Sequence, residues 1–292
     1  MVYIQNLVDG ILLGGFYSII AIGFSLVWGV LNLVNLAHGA FVMMGAYIAY
    51  SLFTHFGMDP FLSIPIVMSI TFLLGYVIQL KIMNRVMRAQ IFMLIILTFG
   101  LDILMINIFK AIYTANVCSI TTSYSGMFIS IGSVVIPMVR LIMFIIAGLL
   151  TIALHFFLNK TKTGNAIRAT GLNKDAAKLI GVDIRRTYAI TFALSAGIAG
   201  AAGAMLSSVG SITPFMGTPF TFIAATIACL GGLGSIPGVI VAGVIYGLTE
   251  TFAAQLFSPA YKIFFGFVLL LGVLIFRPEG MMGKKFFAEI KH

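Results

Sequence analysis

The chain has 292 residues, of which 61% are hydrophobic and 9% charged, with a mean hydropathy of +1.12 and a formal net charge of +9. Soluble domains average roughly 45–50% apolar residues, so this composition excludes a water-soluble globular fold and makes lipid the solvent for most of the chain. Lipid offers the backbone no hydrogen bonds, and unbroken apolar runs of helical length select helices over the alternating strands of a barrel.

A helix needs about 20 apolar residues to cross the hydrocarbon core. Such runs fall near 10–29, 33–54, 61–80, 91–109, 134–157, 188–207, 218–234, 236–257 and 263–276. The last is short, and the pair around 230–240 runs together through glycines. The expectation is an all-α, polytopic transmembrane helical bundle of eight to nine spans, with residues 1–292 forming a single transmembrane domain. The opening MVYIQNLVDG lacks the basic start of a cleavable signal peptide, so the first span is expected to serve as its own insertion signal.

Polar residues inside these runs are the first candidates for function. Asn35 and His38 stand beside Gly39 where the second span begins, and polar side chains at membrane depth usually face a bundle interior or a cavity. No second ligand lies at i+3 or i+4 from His38, which favours a break in the helix over a metal site or a proton relay. Asp102 and Glu250 are the deepest ionisable groups in candidate spans. They could couple transport to protons or sodium at a midplane site, or serve as buried structural carboxylates. Cys118 falls in an expected outer segment and Cys229 in a span, so no disulfide framework is implied.

Charge sets the expected orientation. Lys81, Arg85 and Arg88 share one loop, seven bases lie in 159–187, and Arg277, Lys284, Lys285 and Lys291 occupy the tail, which together make 14 of the 17 Lys and Arg. Basic loops stay in the cytoplasm. The three places alternate correctly if the C-terminus is cytoplasmic and the N-terminus faces outward, and the net charge needs no nucleic acid to explain it.

The 159–187 stretch, NKTKTGNAIRATGLNKDAAKLIGVDIRRT, holds nine charges between two apolar runs. It reads as two short helical phrases. GNAIRATG is bracketed by Gly164 and Gly171. In the second phrase Asn173 is an N-cap, Asp175 complements the positive helix start, Lys178 comes late and Gly181 suits a left-handed closing residue. Leu172, Ala176, Leu179 and Ile180 form an apolar stripe opposite Lys174 and Lys178. Helices of about seven residues do not hold alone in water, so this amphipathic knuckle needs a docking surface. That surface is either anionic headgroups or a cytoplasmic protein partner.

Near the C-terminus, CLGGLGSIPGVIVAGVIYGLTE contains the densest glycine cluster. Gly232-Leu-Gly234 fails as a dinucleotide fingerprint because Pro237 stands where the third glycine belongs and no strand is expected before it. No Walker loop, H-E-x-x-H, G-x-S-x-G or paired Cys/His ligand set occurs. The sequence advertises no catalytic residue, metal site or cofactor. Close helix packing through small residues is the better explanation, as for Gly197, Gly200 and Gly203. Pro237 and its flanking glycines would let the backbone turn beside a cavity. If the chain moves a solute, Asn35, His38, Gly232, Gly234 and Pro237 are the candidates to line its path.

Four blocks in order carry a family resemblance. GFYSIIAIGFSLVWGVLNLVNLAHGAFVMMGAYIA, then GNAIRATGLNKDAAKLIGVDIRRTYAITFALSAGIAGAAGAM, then LGGLGSIPGVIVAG and FRPEGMMGK resemble the permeases of bacterial ABC importers for branched-chain amino acids. The resemblance covers nearly the whole chain. It implies the ABC importer permease fold, no ATPase activity in this subunit, a bacterial inner-membrane location and four kinds of contact. These are a second homologous permease, two cytoplasmic ATPases, a periplasmic binding protein and membrane lipid. It also implies that 159–187 is the cytoplasmic segment that meets the ATPase, with matching positions at Arg168, Ala169, Asn173, Ala177, Gly181 and Asp183, and with Ala177 on the face that enters the ATPase. Asn173 and Lys174 depart from the acidic residues common there. An ion-coupled secondary transporter using Asp102 and Glu250 is the alternative.

Overall fold

The computed structural model describes residues 2–87, 90–114, 116–132, 134–277 and 279–283. Arg88, Pro278, Lys284, Lys285 and Lys291, which figure in the basic clusters and the last motif, lie outside the described residues. The helices in chain order are α1 (Val2–Leu31), α2 (His38–Phe56), α3 (Ile64–Ile78), which continues through a π turn (Gln79–Met83) into α4 (Asn84–Val86), and α5 (Ile91–Tyr113). A hairpin of β1 (Phe128–Ile131) and β2 (Val134–Pro137) follows. Then come α6 (Met138–Lys160), α7 (Lys162–Leu172), α8 (Lys174–Leu179), α9 (Ile184–Leu206), α10 (Gly217–Gly231), α11 (Ile236–Leu256) and α12 (Lys262–Phe276). Among the described residues eight helices are long and apolar enough to cross a membrane, and α10 is a shorter apolar helix. The protein is therefore a multi-pass helical membrane protein.

Several boundaries differ from the sequence expectation, each for a local reason. The first span was expected from residue 10, but α1 starts at Val2, because Tyr3, Ile4 and Leu7 continue the apolar pattern and Gln5 hydrogen-bonds Asp9 one turn on at 2.8 Å. The second was expected from residue 33, yet α2 starts at His38. Asn32 adopts φ 50°, a left-handed value that ends α1 as a C-cap does. The fifth was expected from residue 134, where the structure has β2. Val134, Val135 and Ile136 are β-branched and Ile136 precedes a proline, which disfavours helix at that residue. Hydropathy alone does not separate such a strand from a helix.

The chain divides into two compact units. One comprises Leu26–Thr122 and Leu149–Thr221, the other Met1–Ser25, Ser123–Gly148 and Phe222–His292. In the first, α9 lies against both α2 and α3, and most of its residues are buried. Glycine makes that possible. A Cβ at Gly203 would overlap the carbonyl oxygen of Val42, one at Gly45 the carbonyl of Gly200, and one at Gly200 the side chain of Thr71. The first two are backbone-to-backbone approaches and the third sets backbone against a threonine side chain, spacings that leave no room for a Cβ, as membrane helix pairs built on small residues require. In the second unit Gly10 and Gly14 of α1 meet Leu248 and Gly243 of α11 in the same way, and Tyr17 packs edge-on against Tyr246 at 5.8 Å between centroids. Asp9 pairs with Arg140 at 2.8 Å, and Gln5 brackets Val135 of β2 through its N–H and C=O, each at 2.8 Å.

Gly203→Val should therefore force α2 and α9 apart, at a cost of about 1–3 kcal/mol, seen as a lower thermal midpoint in detergent. Gly148→Ala, at a position where a Cβ meets nothing within 4 Å, should leave the midpoint unchanged. Equal midpoints for the two variants would refute the close-approach account.

Candidate functional site

The charged stretch folds as two capped helices. Thr161 accepts the N–H of Gly164 at 2.9 Å and starts α7, which runs through Gly164 and Gly171 and is longer than the phrase the glycines bracket. Arg168 donates to Asn159 at 2.7 Å and to Asn165 at 2.8 Å, so it fastens α7 to the end of α6. The Ala169 carbonyl accepts the Asn173 N–H, and the Asn173 side chain accepts the N–H groups of Asp175 and Ala176, each at 3.0 Å. At the other end Gly181 has φ 84°, its N–H reaches the Lys178 carbonyl at 3.1 Å, and the Val182 N–H reaches that of Ala177 at 3.1 Å. Those two bonds make a Schellman closure. Asp183 then caps α9 by accepting the Arg186 N–H at 3.1 Å.

This geometry sorts the knuckle into two faces. Leu172, Leu179 and Ile180 are 75%, 88% and 76% exposed, while Ala177 is 2% exposed. The stripe expected from spacing is present and outward. Ala177, however, turns inward and packs within this chain, so it is not on the surface that a partner would meet. The reason is the closure itself: Ala177 is the residue whose carbonyl the Val182 N–H must reach, which draws it under the turn.

Asn35 and His38 belong to the break between α1 and α2. His38 is fully buried and its Nδ1 lies 3.4 Å from Ser195 Oγ on α9. Around them every backbone donor from Leu36 to Gly39 is satisfied. Leu36 N–H donates to Thr98 Oγ1 (3.3 Å), Ala37 N–H to Asn35 Oδ1 (3.2 Å), His38 N–H to the Asn35 carbonyl (3.2 Å) and Gly39 N–H to Thr221 Oγ1 (2.8 Å). Thr98 and Thr221 in turn donate to the carbonyls of Val34 and Leu36. Nothing in the sequence pointed to either threonine, because their partners lie more than 60 positions away.

Gly232, Gly234 and Pro237 lie in the other unit. Gly232 and Gly234 take φ 97° and 82°, Ser235 caps α11, and Pro237 occupies its first turn, where its missing N–H costs nothing. Gly234 N–H donates to Ser25 Oγ at 3.0 Å. The open end of α10 is closed by the chain's own tail, since the N–H groups of Met281 and Met282 reach the carbonyls of Leu230 (2.8 Å) and Gly231 (3.1 Å). The path candidates thus separate into a pair in one unit and a trio in the other.

The two deep carboxylates have different surroundings. Glu250 is 7% exposed, hydrogen-bonded to Tyr17 and 3.7 Å from Lys262 Nζ, a structural ion pair that ties α12 to α11 and α1. Asp102 lies on the buried face of α5, and its Oδ1 has no hydrogen-bond partner among the described residues. Groups of three or more His, Cys, Asp or Glu placed to hold a metal are absent among the described residues.

Comparison with known proteins places this geometry in context. A family model described as "Branched-chain amino acid transport system / permease component" matches residues 6–274. The high-affinity branched-chain amino acid transport system permease protein BraD of Pseudomonas aeruginosa is 32% identical, with 97% of this chain and 96% of the relative covered. LivH of Escherichia coli, described in the same words, is 28% identical with the same shares covered. A probable branched-chain amino acid transport permease protein LivH of Methanocaldococcus jannaschii is 26% identical over 91% of this chain and 88% of the relative. No solved structure matches significantly.

Thr221→Val keeps the shape of the side chain and removes the hydroxyl that accepts from Gly39. The orphaned N–H should destabilise the fold by about 1–3 kcal/mol, measurable as a lower unfolding midpoint, whereas Thr249→Val, whose hydroxyl bonds its own helix at Ile245, should change it little. No shift for Thr221→Val would mean that the break is held by packing alone.

Proposed function

The chain belongs to the permease-component family of branched-chain amino acid transport systems, and from that premise we propose that it carries branched-chain or related hydrophobic amino acids across the bacterial inner membrane as the translocation subunit of an ATP-driven importer. ATP hydrolysis falls to two separate cytoplasmic subunits, a periplasmic binding protein delivers the solute, and a second homologous permease completes the path. The absence of a Walker loop from the sequence supports this division of labour. The full chain acts as one membrane domain, with Asn35, His38, Gly232, Gly234 and Pro237 along the route of the solute. Its C-terminus is cytoplasmic and its N-terminus periplasmic, as the basic clusters argue.

One observation carries the reading. The segment 162–183 is a rigidly capped knuckle with three large apolar side chains in the open. A helix of six residues such as α8 does not hold by itself, and caps at both ends spend structure on a shape that solvent alone would not need. A groove on an ATPase would bury Leu172, Leu179 and Ile180 while Arg168, Asn173, Gly181 and Asp183 hold the knuckle to the membrane helices. Closure of the ATPases on ATP would then bias which side of the path is open, as a ligand biases a two-state equilibrium. The ion-coupled alternative loses one of its two sites, because Glu250 is engaged by Lys262 and Tyr17.

Uptake into proteoliposomes holding the whole assembly should need ATP and the binding protein and should persist when ion gradients are collapsed. Uptake by this subunit alone down a proton or sodium gradient would overturn the proposal. Leu179→Glu with Ile180→Glu should release the ATPases in a detergent pull-down and abolish ATP-driven uptake, since burying an unpaired charge at an interface typically costs several kcal/mol. Lys178→Ala should retain both. Orientation has its own check. A cysteine replacing Lys174 should be protected from an impermeant thiol reagent in intact cells, and one replacing Tyr124 should be labelled; labelling of both would refute the assigned topology.

A further inference from the structure

We propose that the inner end of the α3–α9 pair is a binding site for the headgroup of one anionic phospholipid, formed by Lys81, Arg85 and Arg185 with Arg186 beside them. This goes beyond the transport reading and requires only that the chain spans a membrane. The π turn at Gln79–Met83 brings the end of α3 against the start of α9. Arg185 reaches the Leu80 carbonyl at 3.5 Å through Nη2, and Asn84 donates to the Arg185 carbonyl at 3.3 Å. Lys81 and Arg85 follow Leu80 and Asn84 directly in sequence, and Arg186 follows Arg185, so this junction carries four bases, and all four are exposed.

Positive charge is in excess there. Among the described residues no carboxylate forms an ion pair with any of the four. Asp183 stands two residues before Arg185 and caps α9 by accepting the Arg186 N–H, so four bases face one acid, a net excess of three positive charges. Four like charges held together repel one another, so the arrangement favours an anionic guest. A phosphodiester suits it, because a guanidinium matches a phosphate with two parallel hydrogen bonds and an ammonium adds a point charge.

The apolar side of the site identifies the guest as a lipid. Ile66, Ile70, Leu73 and Val77 follow helical spacing along α3 and are 39%, 45%, 63% and 38% exposed. Lys81 and then Arg85 continue that spacing through the π turn, and Ile82 is exposed between them. A hydrocarbon-facing stripe that ends in a cluster of bases has the layout of an acyl chain below its phosphate. Basic clusters at the ends of membrane helices gain from each added base in this way.

The test uses the purified full chain reconstituted with spin-labelled phosphatidylglycerol or spin-labelled phosphatidylcholine, reading the fraction of motionally restricted lipid. The wild type should select phosphatidylglycerol, less so at high salt. Lys81→Gln, Arg85→Gln and Arg185→Gln together should weaken that selection roughly tenfold or more while leaving phosphatidylcholine unchanged. Arg85→Lys with Arg185→Lys should retain most of it, which separates lost charge from lost fold. Neutralising Lys174 and Lys178 on α8 should leave the selection intact. Wild-type selectivity in the triple variant, or an equal loss on neutralising the α8 lysines, would overturn the site. So would retained lipid selection with loss of the ATPases from a pull-down, which would make the patch a protein contact.

Discussion

A backbone that leaves helical geometry among apolar helices must find its hydrogen bonds elsewhere in the protein, because hydrocarbon supplies none. That constraint bears on two of the places where this chain leaves helix. Between α1 and α2 the backbone donors are met by Asn35, Thr98 and Thr221. Between α10 and α11 the N–H groups of Gly234 and Gly238 are met by Ser25 and Ser235, and the carbonyls of Leu230 and Gly231 accept the N–H groups of Met281 and Met282. Each break is thereby anchored to helices far away in sequence. The glycines complete the arrangement. Gly39 lies against the backbone of Gly217 and Gly231 against that of Gly238, distances at which hydroxyl caps can reach and side chains could not fit.

Much of this was legible in the sequence. Asn173, Gly181 and the outward stripe of Leu172, Leu179 and Ile180 follow from local rules whose partners lie within eight residues, and each stands as those rules require. The spans themselves were legible because hydropathy integrates over about 20 residues and tolerates local error. What escaped was non-local. Thr98 and Thr221 look like any threonine in an apolar run until α5 and α10 are brought to the break. Ala177 was assigned to the partner face through the resemblance and not through the stripe, and it is buried within this chain beside the Schellman turn. Val134–Pro137 was misread because apolar β-branched residues satisfy helix and strand alike.

The basic residues at the helix ends divide into two groups of different character. The bases on α7 and α8 are spread over a capped knuckle whose apolar residues project away from the membrane helices. Those at Lys81, Arg85 and Arg185 sit where an apolar helix face ends. The first arrangement offers a shaped relief to a protein groove, and the second offers a junction between hydrocarbon and charge. A count of Lys and Arg per loop registers both simply as positive. Only the placement of neighbouring apolar side chains tells them apart.

The tail contacts of Met281 and Met282 carry a consequence for biosynthesis. Helix α10 ends in carbonyls whose partners lie about 50 residues later in the chain, so the ribosome makes those partners only after α11 and α12. Gly280 must then fit against Cys229 and Gly232 with no room for a side chain, and Gly283 lies where a Cβ on Gly232 would stand. Until residues 280–283 are made the end of α10 has no lid, and α11 and α12 are synthesised beside a joint that is still open. Synthesis of the two helices and closure of the joint are thus separate events, and the second can begin only after α12 has been made.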